Sequence, residues 1–114
     1  MDFISYNNKI EKVTLPYTIR KVLKNEFSYC SNLKEVIFES ENLSRLMVNS
    51  FEWCESLEIV KLPKNCTYLA PNAFANCGNI DKIYMPFSMV HIAQNAFTNT
   101  TIRELIYSGT QEQF

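Results

Sequence analysis

Five side chains in this sequence have the types that could do nucleophilic, redox or metal chemistry: Cys30, Cys54, Cys66, Cys77 and the single histidine, His91. A cysteine nucleophile needs a base within hydrogen-bond reach, and a structural zinc site needs ligands in closely spaced pairs such as C-x-x-C. No such pair is present, and one histidine is a poor complement for four scattered thiols. Cys30, Cys54 and Cys77 instead follow one another at nearly equal intervals. That regularity marks a structural period. Three thiols in one column cannot all pair, and a buried thiol packs as a small apolar group. Cys66 is out of phase with the other three and also reads as packing. His91 aligns with Lys21, Arg45 and Tyr68, a mostly polar column that reads as solvated. Neither an enzyme, a metal site nor a cofactor is expected, and no convergent set of acid–base residues suggests a small-molecule substrate.

The elements that place these residues follow from the same period. Phe27, Phe51, Phe74 and Phe97 recur at the interval of the cysteines, each preceded two places earlier by Asn25, Asn49, Asn72 or Asn95. Three places after each phenylalanine stands Cys30, Cys54, Cys77 or Thr100, and the next apolar anchor is Leu33, Leu57, Ile80 or Ile102. An alternating triplet then recurs as Val13/Leu15, Val36/Phe38, Val60/Leu62, Ile83/Met85 and Leu105/Tyr107, the pattern of a half-buried strand. Proline follows it at Pro16, Pro63 and Pro86. A second apolar pair comes next: Ile19/Val22, Leu43/Leu46, Cys66/Leu69 and Met89/Ile92. Two spacings differ by a single position, Phe38 to Leu43 and Phe97 to Ile102, and read as loop adjustments.

A unit of about 23 residues cannot bury its own apolar edge, whereas stacked units turn each column into a continuous internal ladder. The expected fold is a solenoid of about four to five turns, with a parallel strand ladder on one face and short helical or 3-10 turns on the other. Asn72 in Asn72-Ala73-Phe74-Ala75-Asn76-Cys77 is placed to act as an N-cap of such a turn. Residues 1–9 read as an N-terminal cap, 10–106 as the solenoid and 107–114 as a C-terminal cap segment, since bare ladder ends invite aggregation.

Composition narrows the function. The chain has 114 residues, 46% apolar, with 11 basic and 12 acidic side chains and a net charge of −1. That balance supports one soluble globular domain, and charges spread evenly along the sequence offer no basic stripe for nucleic acid. No apolar run approaches the roughly 20 residues of a membrane span, and no signal peptide is visible after Met1. The sequons at Asn42, Asn65 and Asn99 carry no weight in so Asn-rich a chain. What remains is recognition of another protein.

The segment Leu57-x-x-Val60-x-Leu62-Pro63, followed by Leu69-x-x-Asn72-Ala73-Phe74-x-x-Cys77-x-x-Ile80, resembles the BspA-like (Treponema pallidum-type) leucine-rich repeats over residues 10–107. Tyr107-Ser108-Gly109-Thr110, with Gln113-Phe114, is similar to the segment that often follows the last such repeat. The chain departs from the pattern at Leu23, Met47, Ala70 and Ala93, where glycine is frequent. The resemblance implies an α/β leucine-rich-repeat solenoid that binds protein, from a cell-surface or secreted adhesion-type protein. The alternative is a small intracellular inhibitor or adaptor, for example virus-encoded, and cytoplasmic if the chain is complete; unpaired cysteines favour it.

A partner is expected on the outward side chains of the strand triplets. One column reads Lys12, Glu35, Ile59, Lys82, Glu104, and the other Thr14, Ile37, Lys61, Tyr84, Ile106. Ile37, Ile59, Tyr84 and Ile106 would supply affinity, while Lys12, Glu35, Lys61, Lys82 and Glu104 would tune specificity and on-rate. Lateral stacking alone, with Lys12–Glu35 and Lys82–Glu104 as cross-strand pairs, accounts for the same residues equally well.

Overall fold

The computed structural model describes residues 4–108. Eight strands alternate along the chain: β1 (Lys12–Leu15), β2 (Glu35–Phe38), β3 (Arg45–Leu46), β4 (Ile59–Lys61), β5 (Tyr68–Leu69), β6 (Gly78–Pro86), β7 (His91–Ile92) and β8 (Thr100–Ser108). They form two parallel sheets, one ordered β1-β2-β4-β6-β8 and the other β3-β5-β7. Every neighbouring pair is parallel, because each strand meets its equivalent one turn later and never a hairpin partner. This is a parallel-strand solenoid whose coils stack along one axis.

The core lies between the sheets and the outer arc. The strand triplets supply Val36, Phe38, Val60, Leu62, Ile83 and Met85, all buried, and the second apolar pairs supply Leu43, Leu46, Cys66 and Leu69. From the arc come Phe27, Phe51, Phe74 and Phe97, whose rings stack in one column with centroids 5.0, 5.2 and 5.5 Å apart. Those distances are close to the spacing of strands in a sheet, so the hydrogen-bonded ladder sets an offset-stacking distance favourable to the rings.

The outer arc differs from the short helical turns expected there. Among the described residues the arcs are successions of turns and contain no helix. A helix requires each amide to bond within its own segment, but here alternate amides leave it. Asn25, Phe27 and Tyr29 donate to the carbonyls of Val48, Ser50 and Glu52 in the next coil, while Glu26 and Ser28 donate three places back. The same alternation recurs at Asn49, Phe51 and Trp53, and again at Asn72, Phe74 and Asn76. Asn72 is therefore not an N-cap. Asn25, Asn49 and Asn72 sit at φ of 63°, 59° and 60°, the left-handed region that asparagine tolerates.

The shorter step between Phe97 and Ile102 has a visible consequence. Leu33 and Leu57 donate back to Cys30 and Cys54 to form a turn before their strands. Thr100 instead runs straight into β8, which pairs with β6 from Gly78↔Thr100 to Pro86↔Ser108. Both strands thus reach nine residues, and β6 continues through Pro86. Leu105 and Tyr107, in phase with the buried triplets, stand 46% and 62% exposed because no described coil covers them. The remaining residues of the expected C-terminal cap, 109–114, lie outside the described residues. At the other end, the Tyr6 amide donates to the Ser28 carbonyl and the Cys30 thiol to the Ile4 carbonyl, which seats residues 4–6 on the first coil.

Candidate functional site

The two outward columns of the larger sheet are set by its register. Lys12 pairs with Glu35, Glu35 with Ile59, Ile59 with Lys82 and Lys82 with Glu104. Alongside, Thr14, Ile37, Lys61, Tyr84 and Ile106 follow in order. The strands place these side chains because Val, Ile and Tyr suit a pleated surface with one buried side, and the inward residues of each triplet fix which side faces out.

The degree of exposure differs from expectation. Ile37, Ile59, Tyr84 and Ile106 are each half-buried, since neighbours at strand spacing cover much of every side chain. Lys61 lies over the Tyr84 ring with its Nζ 5.3 Å from the centroid, a cation–π contact that keeps the ammonium on the face. Among the described residues the one ion pair joins Arg103 to Asp81 on β8 and β6. Lys12–Glu35 and Lys82–Glu104 therefore face each other across the strands without closing into ion pairs. The Arg103 guanidinium holds the Asp81 carboxyl below its usual range.

The cysteines are all free and buried, and the in-phase column has a polar role that composition alone does not reveal. The Cys54 thiol donates to the Phe27 carbonyl at 3.1 Å and the Cys77 thiol to the Phe51 carbonyl at 3.2 Å. Thr100 repeats the contact one coil later, its hydroxyl 2.7 Å from the Phe74 carbonyl. Burial pushes all four thiols up, Cys77 to about 12, so they are protonated donors and poor nucleophiles. The signal was Thr100 at the fourth position of the column, since threonine can stand for cysteine in a core when the shared property is a donor. His91 is exposed and its ring stacks on Tyr68 at 5.5 Å. No group of metal-ligating side chains occurs among the described residues, and no helix there is long and apolar enough to cross a membrane.

Sequence reasoning missed a third column. Tyr6, Tyr29 and Trp53 stack on the outer arc with centroids 4.7 and 6.0 Å apart, and all three are exposed. Each has a positive φ of 61–65°, and Asn76 and Asn99 at the same place in later coils have φ of 59° and 56°. Bulky aromatics there cost about 1 kcal/mol or more apiece in backbone strain. The alignment of Tyr29 and Trp53 with Asn76 and Asn99 carried that signal.

Stacked coils of this period, with a strand ladder on one side and in-phase Leu, Phe and Cys columns inside, define a leucine-rich-repeat solenoid. The BspA-type leucine-rich repeat region matches residues 2–114 with six copies, and the chain belongs to that family. It is similar to a leucine-rich cell surface protein of known structure from Faecalibacterium prausnitzii, with a TM-score of 0.80 and 28% identity over 91% of this chain. The chain spans 27% of that protein's length. No curated protein matches it.

Proposed function

We propose that this chain is a protein-interaction module that docks its partner on the outer face of the five-stranded sheet, within a cell-surface or secreted adhesion-type protein. The observation that carries the reading is the register that brings Ile37, Ile59, Tyr84 and Ile106 onto one face among Lys12, Glu35, Lys61, Lys82 and Glu104. Apolar and aromatic side chains ringed by unpaired charges are the composition of an interaction hot spot. The similar cell surface protein supports the location. Free, buried thiols favour the second reading, an intracellular inhibitor or adaptor.

The test uses the wild-type domain and the Ile37→Glu/Tyr84→Glu variant as paired baits against cell lysate and external surface proteins, with direct binding measured for each captured protein. A partner lost with the variant, whose circular dichroism is unchanged, supports the strand face. The pair Lys61→Glu/Lys82→Glu serves as a second variant should the first perturb folding. Undiminished binding by both would eliminate the face, and the compartment of the partner separates the two readings.

A further inference from the structure

The charges are mixed along the sequence and on the strand face, but one part of the surface carries cations alone. Arg20, Lys21, Lys24 and Arg45 line one groove together with Val22, Leu23, Leu43, Ser44 and Met47, and among the described residues no carboxylate lines it. The local cluster escapes a reading along the chain, because positions one repeat apart become neighbours in adjacent coils. Glu26 accepts the Leu23 amide at 2.8 Å and is not among the lining residues. Arg45 is backed by Tyr68, its guanidinium carbon 5.6 Å from the ring centroid, and that ring stacks on His91.

The groove exists because the backbone ladder opens at this one interval. In the next, Thr67 donates to Ser44 and Ala70 to Leu46; in the one after, Val90 and His91 donate to Thr67 and Ala93 to Leu69. Among the described residues, the equivalent bonds from Ser44 to Arg20 and from Met47 to Val22 are not made. The first two coils are joined instead at the groove's ends, where Glu39 donates to Leu15 and Asn25 to Val48. The second coil also carries one extra residue between Phe38 and Leu43, in the loop Glu39-Ser40-Glu41-Asn42. The groove wall thus holds open backbone groups beside four cations. Its floor is apolar: Val22 and Leu43 are buried, and Met47 is 38% exposed.

The geometry points to a docking groove for an acidic peptide segment carrying an apolar side chain. Carboxylates meet the cationic rim, the apolar side chain covers Met47 and Leu43, and the main chain bonds to the open edge of β3 in the manner of strand addition. A sulfated polysaccharide would satisfy the rim but has no group for the floor. The groove lies on the smaller sheet, so this inference is independent of the strand-face reading.

The probe is a fluorescein-labelled peptide DEDLEDE, titrated with the protein by fluorescence anisotropy at low and moderate salt, beside DEDDEDE, KRKLKRK and heparin. Saturable, salt-sensitive binding of the leucine peptide is expected. It should weaken about tenfold or more, the equivalent of about 1.4 kcal/mol, in Lys21→Glu/Arg45→Glu, and measurably in Lys24→Gln, an exposed change that leaves the fold intact. Ile37→Glu/Tyr84→Glu should bind the probe as wild type does, which separates failure of this groove from failure of the strand face. The inference is overturned by absence of saturable binding, by equal binding to the Lys21→Glu/Arg45→Glu variant, or by heparin and DEDDEDE binding as tightly as DEDLEDE.

Discussion

Truncating Phe51 tests whether the ring column is the axis of stability. Phe51 is fully buried, stacks on Phe27 at 5.0 Å and Phe74 at 5.2 Å, and meets the Phe38 edge at 6.0 Å. Loss of a buried phenylalanine costs about 3–5 kcal/mol, and three aromatic neighbours, each contributing about 0.5–1.5 kcal/mol, put Phe51→Ala near the top of that range. Phe97 is half-buried and, among the described residues, stacks on Phe74 alone, at 5.5 Å, so Phe97→Ala should cost about 1–2 kcal/mol. With a urea slope of about 1.5 kcal/mol/M, Phe51→Ala lowers the midpoint by about 3 M and Phe97→Ala by about 1 M. Urea titrations followed by circular dichroism and by Trp53 fluorescence supply the measurement. A loss below about 1 kcal/mol for Phe51→Ala, or equal losses for the two variants, would refute the column as the stabilising element, since a nearest-neighbour stack penalises its middle more than its end.

Three further outcomes follow from the core. Threonine and valine share a shape, so Cys54→Thr should retain stability while Cys54→Val loses about 1–2 kcal/mol, the cost of depriving the buried Phe27 carbonyl of its donor; equal urea midpoints would deny the thiol that role. Burial raises Cys54 and Cys77, the latter to about 12 from an ordinary value near 9, so the folded chain holds protons that the unfolded chain releases. Stability from these thiols is complete below about pH 9 and falls toward pH 12 by about 1.4 kcal/mol per pH unit per thiol, and thiol alkylation at pH 8 should need denaturant; prompt native labelling of Cys77 would contradict this. Gly78 has a φ of +71°, and an added Cβ would lie 3.2 Å from the Glu55 carbonyl oxygen, so Gly78→Ala should lower stability by about 1–2 kcal/mol in thermal or urea unfolding.

The parts of this molecule legible in its sequence are those that depend on phase. Phe27, Phe51, Phe74 and Phe97 recur at the period of the coil, and parallel stacking can place them only in one column. The same reasoning orders the outward residues Lys12 to Glu104 and Thr14 to Ile106, because alternation within the triplet leaves one choice of face. Exposure was harder to read. Ile37 and Tyr84 face outward yet are half-covered, since the covering atoms belong to side chains in the coils on either side. The arcs misled for a different reason: Asn72-Ala73-Phe74-Ala75 has the composition of a helical turn, and what overrides it is the pairing of alternate amides with the next coil, an interaction no local window contains.

Charge shows the same dependence in its strongest form. Averaged along the chain, 11 bases and 12 acids nearly cancel, yet the segments 16–25, 42–51 and 63–77 contain Arg20, Lys21, Lys24, Arg45 and Lys64 and no acid. Glu35, Glu58, Asp81 and Glu104 fall instead at or beside the strands of the larger sheet. A solenoid maps position within the repeat onto a side of the molecule, so cations spread along the chain gather on one side free of acids. The ladder of the smaller sheet is open between the first and second coils and closed between the second and third, so the cationic surface forms a groove at that interval. Lys21→Glu/Arg45→Glu should remove the acidic-peptide site while leaving the strand face in place. The anisotropy titration with DEDLEDE checks this, and undiminished binding by the folded double variant would contradict the assignment of the site to this groove.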